Sequence, residues 1–233
     1  MIVECIVQNE KDAIEAERLG IDRLELVSAI SEGGLTPSYG IIKRVIENVS
    51  IPVQVMVRPH SYGFEYDESD WHSIREDLLA LQDLGARGIV FGCTKNGEVD
   101  QALLEKVIAT VPEFDITFHR AFDHLTHQAD GLEVLCEYRG HIRRILTSGG
   151  KETAVAGREQ LQQLMTLSDV WHGPAILIGS GVQPSNIGDL HAFLQGSEYH
   201  LGTGFRIDGS FANGLDEAKV RTVLDALKTK SFR

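Results

Sequence analysis

The chain has 233 residues, 42% of them hydrophobic and 24% charged, and a formal net charge of −12. The length suits one large α/β domain, the composition can fill an ordinary buried interior, and no stretch is long and apolar enough to cross a bilayer. An acidic chain with no block of Lys and Arg is repelled by phosphate backbones and anionic lipid, so neither nucleic acid nor membrane is an expected partner.

Residues 2–6 have strand character, a helical pattern over 12–19 stops at Gly20, and 23–26 reads as a second strand. A strand that starts at Ile2 leaves no room for a basic, then apolar, leader, so export is not expected. A helix over 38–48 is expected to take Thr36 as N-cap and Pro37 at its first position, where the missing N–H costs nothing. A strand over 52–57 follows. Over 67–84 apolar residues recur at 71, 74, 78, 81 and 84, one helical face that leads into a strand over 88–91. The alternation continues with helix 100–111, strand 115–118, helix 128–137, strand 144–146, helix 159–168, strand 175–178, helix 187–194, strand 199–201 and helix 216–228. About eight such units close a parallel (β/α)8 TIM barrel, whereas an open doubly wound sheet has about five or six strands. No Pro/Gly/Ser-rich linker or repeat divides the chain. One domain over 1–233 is expected, with the barrel over 1–228 and a short tail over 229–233.

Glu4, Glu25, Arg58 and His119 each sit near the downstream end of an apolar run. Side chains alternate across a strand, so Glu4 shares a face with Ile2, Glu25 with Arg23, Arg58 with Gln54 and Met56, and His119 with Thr117. The opposite face, carrying Val3, Cys5, Leu24, Leu26, Val53, Val55, Val57, Ile116 and Phe118, is apolar and must meet the helices. The charged set therefore falls on the barrel interior, and is expected at its carboxyl rim, where such barrels keep their chemistry. A buried ion-pair network that only plugs the barrel is the structural alternative.

Three glycine-bearing turns follow the last strands: Thr147-Ser148-Gly149-Gly150, Gly179-Ser180-Gly181 and Gly202-Thr203-Gly204. Glycine lets backbone amides approach an anion closely, and the late loops of such barrels often hold a phosphate. Tight turns that need positive φ would use the same residues. The run from Thr117 to Asp123 adds an imidazole, a guanidinium and a carboxylate: His119 can exchange protons near neutrality and Arg120 can clamp an anion, unless Arg120 and Asp123 brace the loop by pairing with each other. Glu4, Glu25 and His119 are the candidate acid/base set. Arg58, Arg120, Asp123, Ser148, Gly149, Gly150, Gly179, Ser180 and Gly181 are the candidate anion-binding set. Glu4 and Glu25 alone are an incomplete ligand set for a hard cation, and His124 and His127 read as a solvated face. There is no nucleotide-cofactor motif. Cys5, Cys93 and Cys136 are an odd, widely spaced trio without CxxC, which fits a reducing compartment.

The segments Glu25-Leu26-Val27-Ser28, Glu32 to Ser38, Met56-Val57-Arg58-Pro59, Phe91-Gly92, Thr117 to Asp123, Thr147 to Gly150 and Gly179 to Val182, in order and with matching gaps, resemble the CutC family. The resemblance implies a TIM barrel, a cytoplasmic setting, a homo-oligomer and a copper-homeostasis protein that binds Cu(I). It also implies a polar pocket at the barrel mouth. Members credited with copper binding carry a cysteine in the first strand, matched here by Cys5, and one after the Glu-Leu pair of the second, where this chain has Val27. Cys93 is the other candidate thiolate and Met56 a candidate thioether, although alternation turns Cys5 outward. A small apolar core residue is the plainer reading of Cys5. After Arg58-Pro59 the family shows a second arginine where this chain has His60.

Two functions are therefore weighed: copper binding through Cys5 and Cys93, and a barrel enzyme, or a non-catalytic binder, that takes a small carboxylated or phosphorylated metabolite at the rim.

Overall fold

The computed structural model describes residues 1–228; the expected tail over 229–233 lies outside the described residues. Eight parallel strands close a barrel: β1 (Ile2–Val7), β2 (Arg23–Leu26), β3 (Val53–Met56), β4 (Gly88–Phe91), β5 (Asp115–Phe118), β6 (Ile142–Thr147), β7 (Ala175–Ile178) and β8 (Glu198–Leu201). They neighbour one another in chain order, and β8 pairs with β1 to complete the ring. Helices follow every strand: α1 (Glu10–Arg18), α2 (Tyr39–Asn48), α3 (Glu68–Asp83), α4 (Gln101–Thr110), α5 (Gln128–Glu137), α6 (Arg158–Trp171), α7 (Ile187–Leu194) and α8 (Glu217–Lys228). This is a (β/α)8 TIM barrel.

The apolar residues assigned to the helix-facing side of the strands, from Val3 and Cys5 to Ile116 and Phe118, all lie in one continuous core between strands and helices. Side-chain caps fix several helix starts: Asn9 accepts from the amide of Asp12, Asp100 from that of Leu103, and Asp67 forms a capping box with Asp70. Thr36 is not the cap of α2. Ser38 takes that place, and the Thr36 hydroxyl accepts from the amide of Arg58 at 2.9 Å, tying the loop after β2 to the end of β3. A two-stranded hairpin, Thr94–Lys95 with Glu98–Val99, was not expected. Asn96 and Gly97 at its tip both have positive φ, as a two-residue turn of this hand requires.

Two details shape the lumen. Between β5 and β6 the register slips, so that Ile116 faces Ile142 but Thr117 faces Arg144. Arg143 is left exposed and Arg144 turns inward. Higher up, Val27, Met56 and Val90, with Ile6 and Ile30 against them, form a separate apolar plug inside the barrel.

Candidate functional site

Interior-facing positions on five strands carry charged groups that join into one ladder across the lower and middle lumen. Asp115 takes two hydrogen bonds from Arg144, both 2.7 Å, and Arg144 also reaches Glu198 at 3.4 Å. Glu198 pairs with Arg23, and Arg23 with Glu4. The other oxygen of Glu4 meets Nδ1 of His200 at 2.7 Å, and Nε2 of His200 lies 3.8 Å from Glu25 Oε2. Gln54 fills the space that the missing side chain of Gly88 leaves beside the ladder: a Cβ there would stand 2.3 Å from the amide oxygen.

The electrostatics separate the two glutamates. Burial opposes the ionisation of Glu4, but Arg23 and His200 outweigh it and hold its carboxyl down at about 2. Burial also dominates at Glu25, where no guanidinium sits in contact; with His200 opposing and Glu4 adding to the rise, its carboxyl is pushed up to about 7. Glu25 Oε1 is buried with no hydrogen-bond partner. His200 is desolvated too, yet Glu25 and Glu4 prevail and raise its basicity. Since ionised Glu4 can only accept, Nδ1 of His200 must donate, which aims Nε2 toward Glu25.

The four residues expected to share the rim do not sit at one level. Glu4 and Glu25 lie within their strands, in mid-lumen, whereas Arg58 and His119 follow the last residues of β3 and β5 and stand at the mouth. There Arg58 Nη1 donates to the carbonyls of Glu32 at 3.1 Å and Gly34 at 3.2 Å, and its guanidinium lies 4.7 Å from the centroid of Phe64. Phe64 in turn covers the His119 ring at 4.9 Å. Nδ1 of His119 accepts from the amide of Ala121, so the neutral ring carries its hydrogen on Nε2, a buried donor without a partner. Burial and then the charge of Arg58 push its pKa down to about 3. His119 is thus a fixed neutral donor rather than a titrating base near pH 7.

Of the two readings open for Arg120 and Asp123, the brace is the one formed. Arg120 Nε donates to Asp123 at 2.7 Å, and its terminal nitrogens reach the hydroxyls of Ser148 at 3.0 Å and Ser180 at 3.3 Å. The carboxylate of Asp123 accepts from the amides of Ser148 and Gly150 and the hydroxyl of Thr147, while the amide of Gly149 turns to Thr147 Oγ1. The amide nest after β6 is therefore filled by the protein's own anion. An open pocket of about 570 Å³ lies outside this brace, bounded by Asp123, Gln128, Gly150 and Lys151, and there Gln128 already donates to Asp123 at 3.2 Å.

The turns after β7 and β8 are arranged differently. With Ile6 and Phe211, Ser180, Gly181, Val182, Gly202 and Thr203 line a pocket of about 170 Å³ whose floor is His200. Gly179 serves the wall: its amide bonds to Thr147, and a Cβ would run into Leu146 at 2.4 Å. His200 has no second histidine or cysteine at a metal-ligand spacing in the sequence. Strand alternation pointed to it, since Tyr199 and Leu201 face the helices and His200, between them, must face inward.

The thiols do not converge. Cys5 and Cys93 both lie in the outer core, on the helix side of strands separated by two others in the ring, and each donates to a carbonyl nearby, Ile6 and Asp100 respectively. Burial pushes the Cys5 thiol up to about 12 and raises that of Cys93 well above its ordinary value. Cu(I) prefers thiolate donors in contact with one another, so this pair does not fit the ion. Met56, the thioether candidate, packs into the apolar plug beside Val27.

Comparison with known proteins agrees with the motif pattern. The sequence matches the CutC family over residues 1–204. A CutC family protein of Histophilus somni is 36% identical over 202 residues, covering 86% of this chain and 82% of that protein. One from Salmonella typhimurium is 35% identical over 187 residues, covering 80% and 73%. The crystal structure of a protein described as copper homeostasis protein CutC, from Streptococcus agalactiae, superposes with a TM-score of 0.79 at 26% identity, covering 87% of this chain and 98% of that one. Phosphoribosyl anthranilate isomerase from Thermotoga maritima, at a TM-score of 0.65 and 12% identity over 98% of this chain and 99% of that one, shares the fold alone. With the family matched over residues 1–204 and relatives more than a third identical over the aligned stretch, this chain belongs to the CutC family.

Proposed function

We propose that the chain is a barrel enzyme acting on a small phosphorylated or carboxylated metabolite held at the mouth between β7 and β8. One observation carries this reading: the small pocket walled by the glycine turns after β7 and β8 has an oriented imidazole, His200, as its floor. The backbone amides of those turns would meet the anion, as late loops of such barrels do. Below it, His200 Nε2 and the unpartnered oxygen of Glu25 are placed to take a proton or to coordinate. Arg58 and the Nε2 donor of His119, on the opposite strands of the mouth, would meet the far end of the ligand. Three free thiols, all buried, support a cytosolic setting.

The test uses inorganic phosphate as probe. Phosphate should raise the thermal midpoint saturably, by RT ln(1 + [L]/Kd) in free energy, and Thr203→Leu, which fills the pocket, should abolish the effect while leaving the circular dichroism unchanged. A midpoint indifferent to millimolar phosphate and to small sugar phosphates and carboxylates would remove the pocket from consideration.

The second reading is copper homeostasis, supported by family membership and by the description of the Streptococcus agalactiae relative. Cu(I) held by Cys5 and Cys93 would require both outward thiols to lose protons and to meet across two intervening strands. Titration of Cu(I) against a competing chelator decides it: tight binding at fixed stoichiometry that Cys5→Ser abolishes would establish the thiol site in spite of this packing.

A further inference from the structure

We propose that His200 and Glu25 hold a divalent first-row cation of the Zn²⁺ or Mn²⁺ class in mid-lumen, with Glu4 orienting the histidine from behind. The inference deepens the mouth-pocket reading by naming a cofactor for the same site.

The ligand atoms of Glu4, Glu25 and His200 all lie within 4.8 Å of one another. Their hydrogen bonds give them distinct roles. Glu4 is fully occupied by Arg23 and by Nδ1 of His200, the arrangement in which a carboxylate fixes the tautomer of a metal-bound imidazole and strengthens it as a ligand. On giving up its Nε2 proton to solvent as the metal binds, His200 presents the Nε2 lone pair toward Glu25. A gap of 3.8 Å separates Nε2 from Glu25 Oε2. That is too long for a hydrogen bond. A bridging water with two contacts of about 2.8 Å would have to be bent to roughly a right angle, whereas metal bonds of about 2.1 Å span the gap at roughly 130°, wider than tetrahedral, and a slight closing of the two side chains brings it to the tetrahedral angle.

Three further observations agree. Glu25 Oε1 is buried without a partner, on a residue only 3% exposed, which leaves an anionic ligand atom unclaimed. Among the described residues Glu25 pairs with no guanidinium: Arg23 and Arg144 are taken by Glu4, Glu198 and Asp115, and His200 alone stands within ion-pair distance of it, a place that a cation can take. His200 lines the pocket between the turns after β7 and β8, which supplies an entry path and open coordination positions for a ligand. An imidazole and a carboxylate are borderline-to-hard donors, so the centre selects against Cu(I) and no cysteine takes part.

The experiment is equilibrium dialysis of the chelator-stripped protein, without phosphate, against Zn²⁺, Mn²⁺ and, under a reductant, Cu(I), with metal content read by mass spectrometry. One divalent ion per chain is expected. Glu25→Gln and His200→Gln should each weaken binding at least tenfold and Glu4→Gln by about 10- to 100-fold, while Cys5→Ser and Cys93→Ser leave it unchanged. X-ray absorption of the Zn²⁺-loaded wild type should show nitrogen and oxygen neighbours and no sulfur, a readout that needs no variant to fold. Failure to retain either divalent ion, retention unaffected by Glu25→Gln and His200→Gln, or a sulfur ligand would each overturn the proposal. Phosphate binding by the metal-free protein tests the pocket separately, so the two readings can fail independently.

Discussion

Asp123 shows how one side chain can convert an anion-binding motif into a structural one. Its carboxylate is 5% exposed and gathers the amides of Ser148 and Gly150, the hydroxyl of Thr147 and the guanidinium of Arg120. Asp123→Ala removes the acceptor and strands those donors, and should cost about 3 kcal/mol of stability in denaturant unfolding. Formate or acetate should restore much of that loss in the variant and do nothing for the wild type; a variant deaf to both ions would show that the nest collapses when Asp123 is gone. His119 supports a pH prediction. Its pKa falls from 6.5 to about 3 on folding, so between those values the unfolded chain binds more protons and stability drops as the pH falls. From pH 7 to pH 5 this group should remove about 2 kcal/mol. His119→Asn, which can still accept from the amide of Ala121, should flatten that part of the profile. Equal pH 7 to pH 5 losses in the two proteins would mean that the ring is already charged.

At the scale of elements, the close approach of the loop after β6 to the start of α6 makes the sharpest demand on sequence. A Cβ on Gly157 would stand 1.9 Å from the carbonyl oxygen of Ser148, and φ there is −97°, so the constraint is contact rather than backbone conformation. Gly157→Ala should therefore cost about 3 kcal/mol and loosen the Asp123 nest, because the backbone atom it strikes cannot rotate away. Gly188, in the first turn of α7, meets nothing within 4 Å, and Gly188→Ala should stabilise by about 0.5 kcal/mol through helix propensity alone. Matching thermal midpoints for the two variants would contradict this packing. The elements themselves were legible because an α/β barrel writes both periods strongly: the 3.6-residue stripe of α3 and the apolar outer faces of β1, β2, β3 and β5 survive in a single sequence. What was not legible depends on contacts between distant segments. Thr36 looks like a cap until Arg58 is folded beside it, and the hairpin after β4 has strands of only two residues each, too short to show alternation.

Across the whole molecule, the sequence indicated which strand faces are polar but not the height at which each residue stands. Height is set by strand stagger and by the slip between β5 and β6, and neither leaves a composition signal. So Glu4 and Glu25 were correctly turned inward yet placed too close to the mouth, and His200, which joins them, was passed over. The closure of the ring depends on a similar long-range contact. Arg206 is 0% exposed and lies beyond the stretch that matches the family, yet it pairs with Asp12 in α1 at 2.8 Å, donates to the carbonyl of Ile6 at the end of β1, also at 2.8 Å, and reaches that of Asn213 at 3.3 Å. Its guanidinium also lies 4.9 Å from the centroid of Phe211, which lines the mouth pocket. One side chain thus joins the first strand, the first helix and the segment leading to α8 at the seam where β8 meets β1. Arg206→Met should cost about 4 kcal/mol, because a buried carboxylate and two carbonyls lose their donor together. Asp12→Ala added to it should cost much less than it does alone, since the stranded charge leaves with it; the double-mutant cycle should show coupling of about 2 kcal/mol or more. Strictly additive effects would mean that the two residues act separately, and that the seam is held instead by the apolar packing of α8 through Val220, Val223 and Leu227.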